Sequence, residues 1–368
     1  MAHHILFTGG GTLGPVTPLL SVAAQWRRRD PEVRCSWIGT PKGPERLLVE
    51  GAKIPFYELT APRMNRYRKW TYPFIPLHML WSMYKAAKML KAIRPDMVFS
   101  AGAYVSVPVA LVAWLMRIPV WVHELDVRPG VANRVMAPFA KRMSTTWPQS
   151  AEAYPAKKTT VVGTMVRSTL ALGDRVSARD RYGLRPEYPT LLVLGGGTGA
   201  ASLNEAMLII ADEVLRIANV IHLTGRGKML PALQTLQEQG KSYIALEFLH
   251  EGLADAYAVA DVVVARAGMG TISELAALGK ASIIIPLPGS QQEENARALE
   301  AQEAADVLSH MTPQVLLQAI TKMLQSQEYR SERAERLRRI FPVNADERIV
   351  HEALEILAQK KVQQEEIL

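Results

Sequence analysis

A short apolar strand followed at once by a glycine-rich turn occurs twice in this chain, once near its start and once past its middle. The first turn runs Gly9-Gly10-Gly11-Thr12-Leu13-Gly14 and the second runs Gly195-Gly196-Gly197-Thr198-Gly199. In parallel α/β sheets such a turn joins a strand to a helix and brings backbone N–H groups close to a ligand. The repetition predicts two doubly wound α/β domains in tandem, and the length of 368 residues suits two domains.

The strands of both halves read as runs that are apolar on consecutive residues, which is typical of strands buried on both faces. The predicted strands are 5–8, 34–39, 97–101 and 119–123, then 191–194, 220–224, 244–248, 262–265 and 281–286. We predict a first domain over 1–165, a second over 166–345, and a C-terminal helix with a polar tail over 346–368. Residues 105–122 are predicted as a buried helix and a strand, because Pro108, Arg117 and Pro119 interrupt any membrane span.

The charge is distributed unevenly between the halves. Residues 1–165 hold 22 basic and 9 acidic side chains, whereas the remainder holds 21 basic and 26 acidic ones. This asymmetry suggests that the first half faces phosphates of a membrane or a nucleic acid. The single cysteine, Cys35, excludes a disulfide framework and any multi-cysteine metal site, which favours a reducing compartment.

Much of the basic excess lies between residues 63 and 94, where aromatic and apolar residues are interleaved and no acid occurs. Basic and aromatic residues together are typical of a segment that attaches peripherally to anionic lipid. A solvated amphipathic helix is the plainer alternative, and nucleic-acid binding is not expected because no known module is present. The predicted membrane residues are Arg66, Arg68, Lys69, Trp70, Phe74, Trp81, Lys85 and Lys88.

Both glycine turns have the spacing of a dinucleotide site, with Gly9, Gly11 and Gly14 in the first and Gly195, Gly197 and Ala200 in the second. A dinucleotide site also needs an acid at the end of the next strand for the ribose. The next strands end at 39–40 and 224–225 without one. The turns are therefore predicted to hold another phosphate-bearing ligand, or simply to pack a helix on a strand.

Two helix starts in the second half carry polar side chains suited to a nucleotide sugar. The stretch 266–274 opens a helix with free N–H groups and places Glu274 where a carboxylate can accept bonds from two ribose hydroxyls. The alternative is a capping box with Thr271 as N-cap and Glu274 as its partner. The amides of Gln291, Gln292 and Asn295 suit sugar hydroxyls, or mark a solvated helix start.

Together these motifs resemble the MurG family, the bacterial UDP-N-acetylglucosamine–N-acetylmuramyl-(pentapeptide) pyrophosphoryl-undecaprenol N-acetylglucosamine transferases. The resemblance covers about residues 4–350. Its pieces are 10–12, 103–106, 123–124, 195–196, 199–200, 203–204, 247–248, 260–264, 266, 268, 271, 273–274, 291–292 and 295. It implies the GT-B fold, an α/β architecture of two facing Rossmann-like domains with an inter-domain cleft. It also implies inverting transfer of N-acetylglucosamine to lipid I, which yields lipid II for peptidoglycan synthesis, the cell wall, cell shape and division.

The resemblance also implies roles for individual residues. On the donor side, Glu274 would bind the ribose, the backbone at Phe248 and Leu249 would hold the uracil, and the sugar would meet Gln291, Gln292 and Asn295. Gly196, Gly199 and Thr271 would hold the diphosphate, with Arg167 as an added cation. Acceptor contacts would come from Gly10, Gly11, Thr12, Gly14, Tyr104 and Ser106. No metal and no cofactor are expected, and the enzyme would lie peripherally on the cytoplasmic face of the cell membrane, since no targeting segment is visible.

The acceptor side departs from the family pattern. Pro15 replaces the family's loop histidine, and Asp126 stands where the family has asparagine. A base for the acceptor hydroxyl is then expected among His123, Glu124 and Asp126, which follow a strand at the ligand-binding edge of the sheet. The plainer reading of His123 is a buried, backbone-bonded histidine. Another lipid acceptor, a UDP-N-acetylglucosamine epimerase and a non-catalytic sugar-nucleotide module remain as alternative functions.

Overall fold

Two parallel sheets organise the chain in this computed structural model, which describes residues 3–62, 75–196, 200–239, 242–249, 252–342 and 344–365. The chain divides into two compact units, one made of Met1–Arg167 with Pro342–Leu368 and the other of Ser168–Phe341. The C-terminal segment, which the sequence set apart as a third region, thus belongs to the first unit. Each unit has a Rossmann-like α/β architecture, which confirms the predicted fold class.

The sheet of the first unit has the order β3-β2-β1-β4-β5-β6-β7, and each described pair of neighbouring strands is parallel. Its strands are His4–Thr8 (β1), Arg34–Gly39 (β2), Phe56–Glu58 (β3), Met97–Ser100 (β4), Val120–Glu124 (β5), Arg142–Thr145 (β6) and Thr159–Val161 (β7). The first six α-helices of this unit are Thr17–Arg29 (α1), Glu45–Gly51 (α2), Ile75–Ile93 (α3), Ser106–Leu115 (α4), Val131–Met136 (α5) and Pro148–Ala151 (α6). The order reverses direction between β1 and β4, which creates a switch point for ligands.

A row of aromatic rings crosses one face of this sheet. Phe7 lies in register with Trp37 on one side and Phe99 on the other, and Phe99 lies in register with Trp121. The ring centroids are 5.9, 5.7 and 5.7 Å apart along the row, and Trp26 of α1 meets Phe99 edge-on at 6.5 Å. Such buried rings contribute a large apolar area, and they fix the register of the four central strands.

The alternate residues of the same strands face a second layer of helices. Leu6, Ile38, Val98 and Val120 are buried in one cluster with apolar residues of α3, α4 and α5. Because successive strand residues point to opposite faces, the consecutive apolar runs of the sequence supply both layers. This explains why 5–8, 34–39 and 97–101 were recognisable as strands buried on both sides.

The second unit repeats this architecture with the sheet order β10-β9-β8-β11-β12-β13, again parallel in the described pairs. Its strands are Thr190–Leu194 (β8), Asn219–Leu223 (β9), Tyr243–Leu246 (β10), Val262–Arg266 (β11), Ser282–Ile285 (β12) and Asp306–Val307 (β13). Its helices are Arg175–Tyr182 (α7), Ala201–Ile209 (α8), Ala211–Leu215 (α9), Pro231–Glu238 (α10), Leu253–Val259 (α11), Met269–Leu278 (α12), Gln292–Glu300 (α13), Pro313–Gln325 (α14) and Gln327–Ile340 (α15). The switch point here lies between β8 and β11.

The chain ends in a long helix, Ala345–Glu365 (α16), which packs against α1 of the first unit. The hydroxyl of Ser21 on α1 hydrogen-bonds Asp346 at 3.0 Å, and Arg142 forms a 2.8 Å ion pair with Glu352. Helix therefore continues through most of the predicted polar tail.

The structure confirms a helix and a strand, α4 and β5, within residues 105–122. Within the described residues, no helix is both long and apolar enough to cross a membrane. The sequence missed β3, β6, β7 and β13, which are short strands of two to four residues. Strands of that length carry too few apolar positions to stand out by pattern alone.

Candidate active site

The switch point of the second unit gathers polar groups from several loops. Gly196 follows β8 in a left-handed conformation with φ of +78°, which favours glycine. Gly199, together with Gly197 and Thr198, lies outside the described residues. Helix α12 begins at Met269, directly after β11, with Gly268 as its N-cap. Its first turn directs N–H groups and a partial positive charge to this edge of the sheet.

Thr271 and Glu274 both lie on α12, but not as a capping box. Because Gly268 is the N-cap, Thr271 is the third residue of the helix and Glu274 the sixth. The capping-box alternative is therefore wrong. Instead, Oε2 of Glu274 accepts a 2.7 Å hydrogen bond from the hydroxyl of Tyr257, whose ring is buried on α11. The carboxylate is held in a defined orientation and remains partly exposed.

Arg266 ties three loops of this edge together. It ends β11, and its guanidinium donates to the carbonyl of Pro286 at 3.2 Å and to the hydroxyl of Ser202 at 3.0 Å. The loop after β12 and the start of α8 are thereby fixed to the strand that leads into α12. The resemblance to the MurG family includes Arg266 but implies no role for it. In the structure its hydrogen bonds join the three loops.

The three amides that were predicted to read the sugar have different surroundings. Asn295 is fully buried, and its Nδ2 donates to the carbonyl of Ala267 at 3.2 Å. Oε1 of Gln292 accepts from the backbone N–H of Leu287 at 3.0 Å. A Cβ added at Gly268 would lie 3.9 Å from Nε2 of Gln292, which places this amide beside the start of α12. Gln291 is the partly exposed N-cap of α13.

Phe248 and Leu249 follow β10 and are both partly exposed. The guanidinium of Arg226 stands 4.8 Å from the ring centroid of Phe248, a cation–π contact between the loops after β9 and β10. The backbone N–H of Gly227 also donates to Oε1 of Glu247 at 2.8 Å. These contacts hold the two loops together next to the backbone predicted to meet the uracil.

A buried polar chain that the sequence did not reveal supports the same loops. Nδ2 of Asn204 donates to the carbonyls of Thr224 and Lys228, both at 3.0 Å, so its Oδ1 is left to accept from Nε2 of His222 at 3.1 Å. Nδ1 of His222 then accepts from the hydroxyl of Tyr243 at 2.7 Å. Burial lowers the pKa of His222 to about 3, so the ring is neutral, with its one proton on Nε2.

In the first unit, the glycine loop after β1 rests on a buried carboxylate. Oε2 of Glu45, at the start of α2, accepts from the backbone N–H of Gly11 at 3.1 Å. Oε1 of Glu45 accepts from the backbone N–H of Thr40 at 2.7 Å and from its hydroxyl at 2.5 Å. Sequence reasoning missed Glu45 because its partners lie 5 and 34 residues away in the chain.

The other predicted acceptor residues border this loop. Thr12 is exposed at its tip and Gly14 is partly exposed. A Cβ added at Gly11 would come within 3.2 Å of Cε1 of Tyr104, so the loops after β1 and β4 adjoin. Ser106 is different, because it is buried and its hydroxyl donates to the carbonyl of Gly102 at 2.7 Å.

His123 is buried at the end of β5, and both of its ring nitrogens have partners. Nδ1 of His123 is hydrogen-bonded to the hydroxyl of Ser144 at 2.9 Å, and that hydroxyl also accepts from Nε1 of Trp121 at 2.8 Å. Nε2 of His123 is hydrogen-bonded to the hydroxyl of Thr146 at 3.0 Å. Burial lowers the pKa of His123 to about 3, which keeps the ring neutral. These contacts match the plainer reading of a buried histidine, although its partners are side chains.

Glu124 is also buried, and its carboxylate organises the loop after β5. Oε2 accepts from Nδ2 of Asn133 and the N–H of Gly130, both at 3.0 Å, and from the hydroxyl of Tyr154 at 2.7 Å. Burial raises the pKa of Glu124, while these hydrogen bonds oppose the shift. Its Oε1 accepts from the backbone N–H of Asp126 at 3.3 Å. Asp126 is thus held in place by Glu124, and it is the partly exposed member of the three predicted bases.

Arg167, the predicted cation, is the last residue of the first unit and is partly exposed. No group of three or more histidine, cysteine or acidic residues that could hold a metal ion occurs in the part of the chain that the structure describes.

The outward side of α3 exposes large apolar side chains at helical spacing. Leu77 is 70% exposed, and Leu80, Trp81 and Tyr84 are exposed beside it. Nζ of Lys85 lies 3.7 Å from the ring centroid of Trp81, and Nζ of Lys88 lies 4.7 Å from that of Tyr84. The remaining predicted membrane residues, Arg66, Arg68, Lys69, Trp70 and Phe74, lie outside the described residues.

Both units match known protein families. Residues 5–145 match the glycosyltransferase family 28 N-terminal domain, and residues 190–349 match the glycosyltransferase family 28 C-terminal domain. Among solved structures, MurG of Acinetobacter baumannii is 29% identical, with a TM-score of 0.71 over 95% of this chain and 99% of that one. A UDP-GlcNAc 2-epimerase from Neisseria meningitidis has a TM-score of 0.68 over 96% and 100% of the chains, at 16% identity. That second likeness shows the shared fold alone.

Curated relatives extend over most of the chain. A UDP-N-acetylglucosamine–N-acetylmuramyl-(pentapeptide) pyrophosphoryl-undecaprenol N-acetylglucosamine transferase of Lachnospira eligens is 34% identical over 325 residues, which span 87% of this chain and 90% of the relative. One of the same name from Shouchella clausii is 37% identical over 287 residues, 78% of this chain and 79% of the relative. The chain therefore belongs to the MurG family of N-acetylglucosamine transferases.

Proposed function

We propose that this chain transfers N-acetylglucosamine from UDP-N-acetylglucosamine to undecaprenyl-diphosphate-linked N-acetylmuramyl-pentapeptide, converting lipid I into lipid II with inversion at the anomeric carbon. The observation that carries the proposal is the 34% identity to a transferase of that name over 87% of the chain, across both family 28 domains. The second unit would bind the donor, and the first would bind the acceptor and attach to the membrane.

On the donor side, we assign the ribose to Glu274. Tyr257 orients its carboxylate. Glu274 is the sixth residue of α12, whose N-cap is Gly268, at the switch point where nucleotides bind in open α/β sheets. The diphosphate would meet the N–H groups at the start of α12, near Thr271, where the helix dipole stabilises negative charge as UDP leaves. We therefore expect transfer to proceed without a metal ion or other cofactor.

We assign the remaining donor contacts to the residues at this edge of the sheet that are partly exposed. Gln292 borders the start of α12 and Gln291 is the partly exposed N-cap of α13, and both would contact the sugar, whereas the buried Asn295 would act by holding Ala267 in place. The backbone at Phe248 and Leu249 would meet the uracil, because the bridged loops after β9 and β10 hold it at the same edge of the sheet.

The base that takes the proton from the acceptor hydroxyl is, in this proposal, Asp126. His123 is neutral and both of its ring nitrogens are bonded to buried hydroxyls, and Glu124 accepts four hydrogen bonds in the interior. Asp126 lies in the loop that these two residues support and is partly exposed. A general base must come within hydrogen-bond reach of the proton that it removes, and exposure favours Asp126.

The exposed face of α3 would lie on an anionic membrane. It combines leucine, tryptophan and tyrosine side chains with lysines stacked on the rings, the composition expected at the headgroup level of a lipid surface. The next two helices of the same layer, α4 and α5, also expose apolar side chains. These are Trp114, Leu115, Val131 and Val135. Peripheral attachment on the cytoplasmic face would bring the first unit to its lipid-linked acceptor.

A second candidate is transfer to another polyprenyl-linked acceptor, which Pro15 and Asp126 favour because both depart from the family pattern on the acceptor side. The epimerase alternative is not favoured, since the epimerase resembles this chain in fold alone, whereas the transferases also share its sequence.

The decisive experiment offers labelled UDP-N-acetylglucosamine together with lipid I, other polyprenyl-diphosphate sugars or a diacylglycerol in anionic vesicles. Labelled lipid II as the main product supports the proposal. Labelling of a different lipid supports the second candidate, and conversion of the donor without any lipid supports an epimerase.

A further inference from the structure

We infer that the carboxylate of Glu45 occupies the place beside the first glycine loop where a phosphate was expected. By binding the loop there, Glu45 positions it for the acceptor. The side chain of Glu45 is fully buried, and both oxygens accept hydrogen bonds, one from Gly11 and the other from Thr40. Hydrogen bonds to an ionised carboxylate are the strong ones. The loop is therefore held by the chain itself before any substrate binds.

The glycines around this carboxylate are explained by its presence. A Cβ added at Gly10 would overlap Oε1 of Glu45, and one at Gly43 would overlap Oε2. Neither glycine has a positive φ, so conformation does not require glycine at either position. What requires it is the close approach of the carboxylate to the backbone. The spacing that resembled a phosphate-binding loop thus accommodates an internal acid.

Several backbone amides of this loop donate hydrogen bonds within the chain. The N–H of Gly9 donates to Ile38, that of Gly11 to Glu45, and those of Val16 and Thr17 to the carbonyl of Leu13. Pro15 and Pro18 have no N–H to offer. A phosphate site at a helix N-terminus needs several such groups aimed at the ligand. The N–H of Gly11 is already taken by Glu45, so Gly11 does not donate to a diphosphate, and this part of the loop is held by the chain beside the acceptor.

Glu45 reaches the acceptor side through Gly11. This glycine adopts φ of +81° and stands against the ring of Tyr104, so a shift of Gly11 moves the border between the loops after β1 and β4. Thr12, exposed at the tip, would move with it. Glu45 is thus a positioning residue, and its effect on the acceptor rests on the proposed function.

The test is chemical rescue of Glu45→Ala. We expect the KM for the lipid acceptor to rise about tenfold, the effect of losing one hydrogen bond to a charged group, with the KM for UDP-N-acetylglucosamine unchanged. Added formate should restore the acceptor KM by refilling the cavity, and chloride should not. The matched control is Glu50→Ala on the same helix, which removes an exposed partner of Arg46 and should change neither KM. An unchanged acceptor KM, or a loss that formate does not reverse, overturns the inference.

Gly10→Ala tests the same contact with Glu45 in place, so it also serves where Glu45→Ala does not fold. Gly10→Ala drives a methyl group into the carboxylate and should raise the acceptor KM in the same way. In the double variant with Glu45→Ala, the methyl group occupies vacated space, so the two effects should be clearly less than additive. Additive effects would show that the glycine and the acid act separately.

Hydrogen exchange gives a readout that does not depend on the reaction. The amide of Gly11 should be protected in the wild type, exposed in Glu45→Gln, and protected again in Glu45→Ala with formate. Glutamine has one oxygen for three donors, so it cannot restore the contact. If the wild type fails to use any polyprenyl acceptor while this pattern holds, the proposed function falls and the role of Glu45 in the loop stands.

Discussion

The hydroxyl of Tyr257 donates a 2.7 Å hydrogen bond to Oε2 of Glu274, and so the carboxylate assigned to the ribose is fixed from the interior of the second unit. Tyr257 is buried, whereas Glu274 is partly exposed. The carboxylate is thereby held in a constant direction.

Tyr257→Phe should weaken UDP binding about five- to tenfold, because the loss of the hydrogen bond that orients Glu274 should reduce the binding free energy by about 1 to 1.5 kcal/mol. The preference for UDP over 2′-deoxy-UDP should fall as well, since the affected group is the one that contacts the ribose. Calorimetric titration of both nucleotides measures this. Tyr188→Phe is the control, because it removes a hydroxyl in the same unit but keeps the ring that Arg185 covers. Equal discrimination in wild type and Tyr257→Phe would remove Glu274 from the ribose site.

Asp126→Asn should lower kcat at least about a hundredfold, since amide nitrogen and oxygen cannot take the proton of the acceptor hydroxyl. The KM for UDP-N-acetylglucosamine should stay the same, because the donor is held by the other unit. Steady-state kinetics with lipid I separates the two parameters. Glu124→Gln is the informative comparison: it should lower thermal stability by disturbing Asn133 and Tyr154, with a smaller loss of kcat. Near-normal turnover of Asp126→Asn would exclude it as the base.

The α3 surface should be needed for binding to vesicles but not for chemistry. Trp81→Ala combined with Lys85→Glu and Lys88→Glu should abolish flotation with anionic vesicles, because it removes the ring and reverses two charges, each worth about 1 kcal/mol at a lipid surface. Turnover of a short-chain, water-soluble acceptor should be retained. Arg29→Glu with Lys42→Glu reverses two exposed charges elsewhere on the same unit and should leave flotation intact. Wild-type binding that ignores both lipid charge and salt would contradict the proposal.

The buried His222 makes the second unit sensitive to acid. Its folded pKa of about 3 lies below the ordinary value of 6.5, so between these values the unfolded state binds a proton that the folded state does not. Stability is therefore complete above pH 6.5 and falls by about 1.4 kcal/mol per pH unit below it. Hydrogen exchange of the second unit between pH 7 and 5 should show this loss.

His222→Gln should flatten that dependence, because glutamine can donate to Asn204 and accept from Tyr243 without titrating. His351→Gln, which changes an exposed histidine of the first unit, should leave it unchanged. The first unit is a poorer place for the test. There, burial raises the pKa of Glu124, so acid favours its folded form and offsets the destabilising effect of His123. An identical pH slope in wild type and His222→Gln would show that other groups govern acid unfolding.

The strands and the doubling of the fold were predictable because each strand buries both faces. Leu6 and Phe7 are neighbours in sequence but belong to opposite layers, so an unbroken apolar run is the signature of a central parallel strand. The edge strands β3 and β13 lack that signature, as they are short and only partly buried. Local pattern is informative where an apolar run is long, and it is uninformative for strands as short as β3 and β13.

The polar interior was not predictable in the same way. Glu45, His222 and Asn204 gain their roles from partners between 5 and 34 residues away, and no local spacing encodes such a meeting. The capping-box alternative at Thr271 failed for a related reason. The helix begins after Gly268, between loops that Arg266 and Asn295 fasten, and a single segment cannot reveal such contacts. The family resemblance located the edge of the sheet, and the tertiary contacts distinguish supporting residues from exposed ones.

The packing of α16 on α1 makes the first unit discontinuous in the chain, while the second unit is one uninterrupted stretch from Ser168 to Phe341. During synthesis, the second unit has its whole sequence before the first has received its last helix. Until then, Ser21 lacks Asp346 and Arg142 lacks Glu352, and one flank of α1 stays uncovered. The donor-binding unit is therefore able to fold during synthesis before the lipid-facing unit is closed.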